Sequence, residues 1–291
     1  MKDVIIRNWD ELQHIIFKGA WDPALMRYRT NFIYRGLNNA AYDGMVPKLN
    51  RICGYKLELE DSLIRNFKKY AYAELGNYHS FWQTVTLAQH YGLPTRLLDW
   101  TYSPLVAAHF ATADINQYDR DGAIICVNFV HLKDDLPQSL HEALSEVNSN
   151  SFTIEMLEHY VPNFEKLKAI SDKPFVLFFE PASMLDRISN QYALFSVVSD
   201  RSKTLGELLP KDDDEYCYRI VIPKECKLEI RDKLDYINIS ERMIYPGIEG
   251  ICQWMTRRYA NLGPKYNLNH TEEGSNSENC TIDDFFKKEE K

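Results

Sequence analysis

Leu87-Ala88-Gln89-His90-Tyr91-Gly92-Leu93-Pro94-Thr95-Arg96-Leu97-Leu98-Asp99-Trp100-Thr101-Tyr102-Ser103-Pro104 sets a dense group of polar side chains between leucines, a glycine and two prolines. The periodicity predicts a helix over 81–91, stopped by Gly92 and Pro94. A short apolar strand follows over 97–100. Ser103 is then placed as N-cap and Pro104 as first residue of a second helix, running to about 113. Gln89, His90, Arg96, Asp99, Thr101 and Ser103 are thus embedded among leucines, and buried polar groups need hydrogen-bond partners. Two readings follow. In one, the polar groups satisfy each other: Arg96 pairs with Asp99, and Ser103 caps its helix. In the other they line a ligand cleft through His90, Thr101 and Ser103.

Upstream, apolar spacing predicts a helix over 9–17 and a longer one over 57–75. Residues 31–34 read as a strand leading into Arg35-Gly36, with turn chemistry at Asn38-Asn39 and Asp43-Gly44. Arg35 at such a strand end, next to a glycine, suits a sharp turn or a close ligand approach, and its guanidinium suits a fork to phosphate or carboxylate. A salt-bridged strand-end Arg is the plainer alternative. Downstream, strands are predicted over 123–130, 175–179, 192–198 and 216–222, the last preceded by Asp212-Asp213-Asp214. Helices are predicted over 224–234 and 246–259, with a helical turn within 182–189. Residues 134–172 are more polar, with helical patches over 138–147 and 154–167, and read as an insertion packed on the core. The chain after about 262 is rich in Asn, Glu, Ser and Lys and reads as a disordered tail. The expected class is α+β, with helices grouped early and strands later, and one domain over 1–261.

The chain has 291 residues, 45% of them hydrophobic and 13% aromatic, which is ample for a core. Its net charge of -8 argues against non-specific DNA binding, which needs clustered Lys and Arg. No apolar run approaches the about 18 residues of a membrane span, and the N-terminus has no signal-peptide core. Six dispersed cysteines without a C-x-x-C pair read as thiols in a reducing cytoplasm, and no His/Cys spacing suggests a metal. The phosphate-binding, dinucleotide, zinc-protease and nucleophile-elbow motifs are all missing.

Phe32-Ile33-Tyr34-Arg35-Gly36 followed by Gln89-His90-Tyr91-Gly92-Leu93-Pro94-Thr95-Arg96-Leu97-Leu98-Asp99-Trp100-Thr101 resembles the FRG domain, named for its Phe/Tyr-Arg-Gly motif. Val46-Pro47-Lys48-Leu49-Asn50-Arg51 is similar to the family's Pro-Ser-Leu-x-Arg segment. Arg187-Ile188-Ser189-Asn190-Gln191-Tyr192-Ala193-Leu194-Phe195 resembles its Arg-Ile-x-x-Gln-x-Gly-x-Phe, with Ala193 for the usual glycine. Ile244-Tyr245-Pro246-Gly247-Ile248-Glu249-Gly250 is similar to its closing Phe-Pro-Asp-Leu-Asp-Gly. The resemblance spans roughly 25–260.

FRG domains occur in bacterial and phage genomes, often in settings of toxins or phage defence. A further, fold-level likeness links this order of residues to toxin-type ADP-ribosyltransferases, which would imply a split β-sheet core with helices around it. On that likeness Arg35, Thr101, Gln191 and Asp99 would be catalytic. Tyr34, Arg35, Gly36, His90, Arg96 and Ser103 would hold NAD as co-substrate, with no metal. Gln191 stands where such enzymes carry a Glu, so Asp99 or Glu249 would have to supply the acid. A macromolecular acceptor, RNA or protein, and a cognate antitoxin protein are the implied partners. The alternatives are a nucleotide-binding sensor without turnover and a structural interaction module.

Overall fold

In a computed structural model, described over residues 1–54, 56–76, 80–181, 186–210, 213 and 215–261, the ten strands come in chain order as follows. They are β1 (Lys2–Ile5), β2 (Trp21–Asp22), β3 (Arg27–Tyr28), β4 (Phe32–Leu37), β5 (Leu98–Thr101), β6 (Gly122–Asn128), β7 (Phe152–Thr153), β8 (Val176–Glu180), β9 (Ala193–Val198) and β10 (Cys217–Ile222). Strands β2 and β3 form a small hairpin. The other eight form one mixed sheet in the order β1-β10-β6-β4-β5-β9-β8-β7. Only the two outermost pairs, β1 with β10 and β7 with β8, are parallel. The fold is α+β. Residues Met1–Tyr259 form one compact unit. Among the described residues no helix is long and apolar enough to cross a membrane.

Strand alternation explains how the sheet is covered. One face carries Ile33, Leu98, Trp100, Ile125, Val127, Phe178 and Leu194 into a single apolar layer. The opposite face is divided in two. Over β10, β6 and β4, the helices Trp9–Phe17, Pro104–Thr112 and Lys224–Tyr236 bury Leu12, Ala107, Ala111 and Ile230 against Tyr34, Ile124 and Ile220. Over β5, β9 and β8, the helix Phe81–His90 and the segment 134–172 bury Trp82, Leu140, Leu157 and Phe164 against Phe179 and Phe195. The gap between these two groups of helices is where the sheet itself comes apart. Strand β4 pairs with β6 over its whole length but with β5 only at Tyr34 and Thr101.

Local signals placed most elements. The helix Pro104–Thr112 begins as its sequence requires, with Ser103 Oγ accepting from the Val106 amide and Pro104 in the first turn. Ser80 and Gln83 form a reciprocal capping box on the helix Phe81–His90. The segment 134–172 is largely helical, as Gln138–Glu146, Ile154–Tyr160 and Phe164–Ala169, but it also adds β7 to the sheet edge.

Several expectations are corrected. Arg35 and Gly36 do not end a strand: β4 runs on to Leu37, so Arg35 is an interior strand residue. Gly36 has no positive φ; its glycine is required by space. A Cβ there would stand 2.0 Å from the Ala107 carbonyl oxygen and 2.8 Å from Phe110 Cβ. Gly36→Ala must therefore push the helix Pro104–Thr112 off the sheet. It is expected to cost about 3 kcal/mol, read as a fall in the urea midpoint. The stretch 57–75 is two helices, Leu59–Tyr70 and Tyr72–Leu75, broken at Ala71. Lys2–Ile5, short and half polar, is a strand that the apolar pattern did not reveal. Helices and strands also alternate along the chain and are not grouped early and late. Part of the helical turn expected within 182–189 is the helix Asp186–Asn190, while 182–185, Asp212, Asp214 and the expected tail over 262–291 lie outside the described residues.

Candidate functional site

The sheet opens because β4 and β5 diverge after the Tyr34–Thr101 pair, and the Arg35 side chain fills the opening. Its Nη1 donates to the Asp99 carbonyl oxygen at 2.7 Å, an acceptor that a strand partner would otherwise satisfy. Its Nε donates to the Gly44 carbonyl oxygen at 2.9 Å. Nη1 also stands 3.5 Å from Asp99 Oδ2. Burial pulls the Arg35 pKa below its ordinary value, and the Asp99 charge works against that. Nη2 makes no hydrogen bond to a described residue, so one edge of the fork is available to a ligand.

A cleft of about 360 Å³ lies against this opening, within the size range of small-molecule sites. Its floor is Tyr34, Thr101 and Ala193, which stand side by side on β4, β5 and β9. Gln89 and His90 from the helix Phe81–His90 form one wall, Phe110 another, and Arg187, Ile188 and Gln191 a third. Lys48 closes the rim, its Nζ donating to the Gly92 carbonyl oxygen at 2.7 Å.

Asp99 is the carboxylate of this cleft among the described lining residues. Gln89 Nε2 donates to both its oxygens, at 3.1 and 3.0 Å, and Gln89 is itself aimed by Thr95 Oγ1 at 2.6 Å. The acid is thus fixed by the helix Phe81–His90 and the segment that joins it to β5, while its carboxylate stays half exposed. His90 is half-buried. Burial first, then the Arg187 charge, hold its pKa below the ordinary 6.5, with Asp99 opposing, so the ring is neutral at pH 7 and can accept a proton. Arg187 stacks on Tyr245, its guanidinium carbon 4.6 Å from the ring centroid, and makes no ion pair with a described residue. Gln191 Nε2 reaches the Ile244 carbonyl oxygen at 3.4 Å, and Asn190 Nδ2 donates to the Met243 carbonyl oxygen at 2.7 Å. The wall carrying Arg187 and Gln191 is therefore anchored on the short helix Glu241–Ile244.

Of the residues singled out from sequence, the cleft gathers Tyr34, Arg35, Gly36, His90, Asp99, Thr101 and Gln191. Two lie elsewhere. Ser103 does not line the cleft and is occupied as a helix cap. Arg96 does not pair with Asp99: it is 7% exposed and bonded through its amide, Nε and Nη2 to Glu60, which is fully buried. The Thr101 hydroxyl accepts from the Ser103 amide at 3.0 Å, so it shapes the junction while lining the floor. Glu249 sits in the first turn of the helix Ile248–Arg258 and does not line the cleft. Neither does any residue of 134–172. Lys48, Phe110 and Arg187 were not singled out, and Gln89 was read only as a buried polar group, not as a wall of the cleft. Arg187 had a readable signal, since a helical turn puts it on one face with Gln191 four residues on.

Behind the site, His109 on the helix Pro104–Thr112 is fully buried, with Nδ1 2.6 Å from Arg231 Nη1. A guanidinium only donates, so Nδ1 accepts and the ring proton sits on Nε2. Burial, then the charges of Arg231 and Arg257, hold the His109 pKa well below 6.5. The unfolded chain binds that proton near 6.5 and the folded one does not, so stability is full above 6.5 and falls with acidification below it. The expected loss comes to about 1.4 kcal/mol in all between about pH 7.5 and about pH 5.5, and approaches about 1.4 kcal/mol per pH unit only further below 6.5, read from urea midpoints. His109→Gln, which keeps an acceptor for Arg231, is expected to flatten that dependence. An unchanged slope would show that His109 is not its source.

A family model of the FRG domain matches residues 30–120. No curated protein and no solved structure gives a significant match. The matched stretch contains Tyr34, Arg35, Gly36, Lys48, Gln89, His90, Asp99, Thr101 and Phe110. Arg187 and Gln191, which complete the cleft, lie beyond it.

Proposed function

We propose that this FRG-domain chain transfers ADP-ribose from NAD to a cellular macromolecule, RNA or protein, and acts as a toxin restrained by a cognate antitoxin protein. One observation carries the reading: where β4 and β5 diverge, a partly free arginine fork, an aimed carboxylate, a buried threonine and an amide side chain converge on one cleft. Arg35, Arg187 and Lys48 offer cations to a pyrophosphate, and Thr101 and Gln191 offer hydrogen bonds to a ribose. Asp99 provides the negative charge that Gln191 lacks.

In this reading the bond between ribose C1′ and the pyridinium nitrogen breaks, and its electron pair passes to that nitrogen, so nicotinamide leaves neutral. The positive charge left on the ribose is stabilised by Asp99. The acceptor's nucleophilic atom attacks C1′ and yields its proton to Asp99 or to neutral His90. The test is chromatographic detection of nicotinamide from NAD, with and without cell extract. Release that depends on the protein supports transfer. A second reading, binding without turnover, is favoured by the engagement of both Asp99 oxygens by Gln89. Saturable NAD binding with no nicotinamide release would select it. Expression in a bacterium without any partner gene tests toxicity, and normal growth with folded protein present would count against it.

A further inference from the structure

We infer that the cleft is half of a longer crevice built for a dinucleotide, and that a second lobe beyond Arg35, formed by Tyr42, Asp43 and Arg51, is the subsite for the adenosine half. This rests on the reading that the first lobe takes the nicotinamide ribose. The second lobe has a volume of about 670 Å³ and shares Arg35, Gly36 and Phe110 with the first. The two lobes therefore meet at Arg35, and a ligand that fills both must cross it.

The chemistry of the second lobe suits that half. Tyr42 is half exposed, so a ring face is available for stacking on a base. Arg51 uses Nη1 on the Val46 carbonyl oxygen at 3.2 Å and makes no ion pair with a described residue. Its charge is close enough to Arg35 to help depress the pKa of that arginine. Two guanidinium groups that repel each other across the waist are relieved by a dianion lying between them. Asp43 has one oxygen committed to the Met45 amide at 3.0 Å, which leaves its carboxylate able to accept from ribose hydroxyls. Along the ligand the order is then base on Tyr42, pyrophosphate between Arg51 and Arg35, and nicotinamide ribose at Asp99 and Gln191.

The experiment is calorimetric titration of the full chain, and of its Arg51→Ala and Tyr42→Ala variants, with NAD, ADP and nicotinamide mononucleotide, alongside nicotinamide release. Both side chains are at the surface, and circular dichroism checks that the variants fold. Each variant is expected to lose about tenfold in affinity for NAD and for ADP, with nicotinamide mononucleotide unchanged. NAD and ADP bound as tightly as by the unaltered chain, or an equal loss for nicotinamide mononucleotide, would overturn the subsite. Release of nicotinamide at unchanged KM by both variants removes the subsite and leaves the transferase. The expected losses without any nicotinamide release leave the subsite and remove the transferase. Failure of all three nucleotides to bind overturns both.

Discussion

Glu60→Ala is expected to lower the unfolding free energy by about 3–5 kcal/mol, the largest effect of any single substitution considered for this chain. Glu60 is fully buried and accepts from the Arg96 amide at 3.2 Å and from Arg96 Nε at 2.8 Å, with a further bond from Nη2. The Arg96 guanidinium also stacks on Phe164, 3.9 Å from the ring centroid, so a ring covers one of its faces as well. Removing the carboxylate leaves a cation desolvated and unpaired, and the penalty comes from that orphan more than from the lost attraction. Two further variants separate these causes. Glu60→Leu is expected to be nearly as damaging as Glu60→Ala, because Arg96 stays unpaired. Glu60→Leu combined with Arg96→Met is expected to recover most of the loss, since no buried charge remains. Chemical denaturation at pH 7 reads all three, and a change below about 1 kcal/mol for Glu60→Ala would show that water reaches Arg96. The pair also matters to the site. Arg96 lies at the entry to β5, so the strand carrying Asp99 and Thr101 is fixed to the helix Leu59–Tyr70 through this contact.

On the proposed transferase reading, Asp99→Asn is expected to reduce nicotinamide release about a hundredfold or more while changing stability by less than about 1 kcal/mol. The amide has the carboxylate's shape, so Gln89 keeps an acceptor and the loop keeps its form. What goes is the charge, which the Arg35–Asp99 pair, with the carboxylate 55% exposed, does little to turn into stability. If Asp99 stabilises positive charge on the ribose, KM moves little and kcat falls. A variant that releases nicotinamide at the normal rate would take the acid role from Asp99. A variant that unfolds would make the residue structural, and Gln89→Ala would then reproduce the same loss. Arg35 is a poorer probe of chemistry, because its Nη1 and Nε also hold the Asp99 and Gly44 carbonyl groups.

The Tyr34-Arg35-Gly36 triplet shows where sequence reading reached and where it stopped. Its importance was legible, and so was its neighbourhood with the Leu87–Pro104 stretch. Its geometry was not. Tyr34 is 2% exposed and paired with Thr101, Arg35 bridges the split, and Gly36 lets a helix carbonyl approach. Three adjacent residues thus do three different jobs, two of them against β5 and the third against the helix Pro104–Thr112.

Local sequence set the types of the elements and most of their ends, because helix period, strand alternation, Ser103 and Pro104 act within a few residues of where they are read. It also determined that polar side chains between leucines would need partners. Which partners they found depended on how distant elements pack. Arg96 passed over Asp99, three residues away, for Glu60, which is 36 residues away and buried. Asp99 was left to Gln89 and Arg35, and Arg187 joined a cleft whose other walls lie far away along the chain. The reason is physical: a local pattern fixes the direction in which a side chain leaves its own element, while its neighbour is set by which elements pack there, and that choice is made by the burial of the whole core.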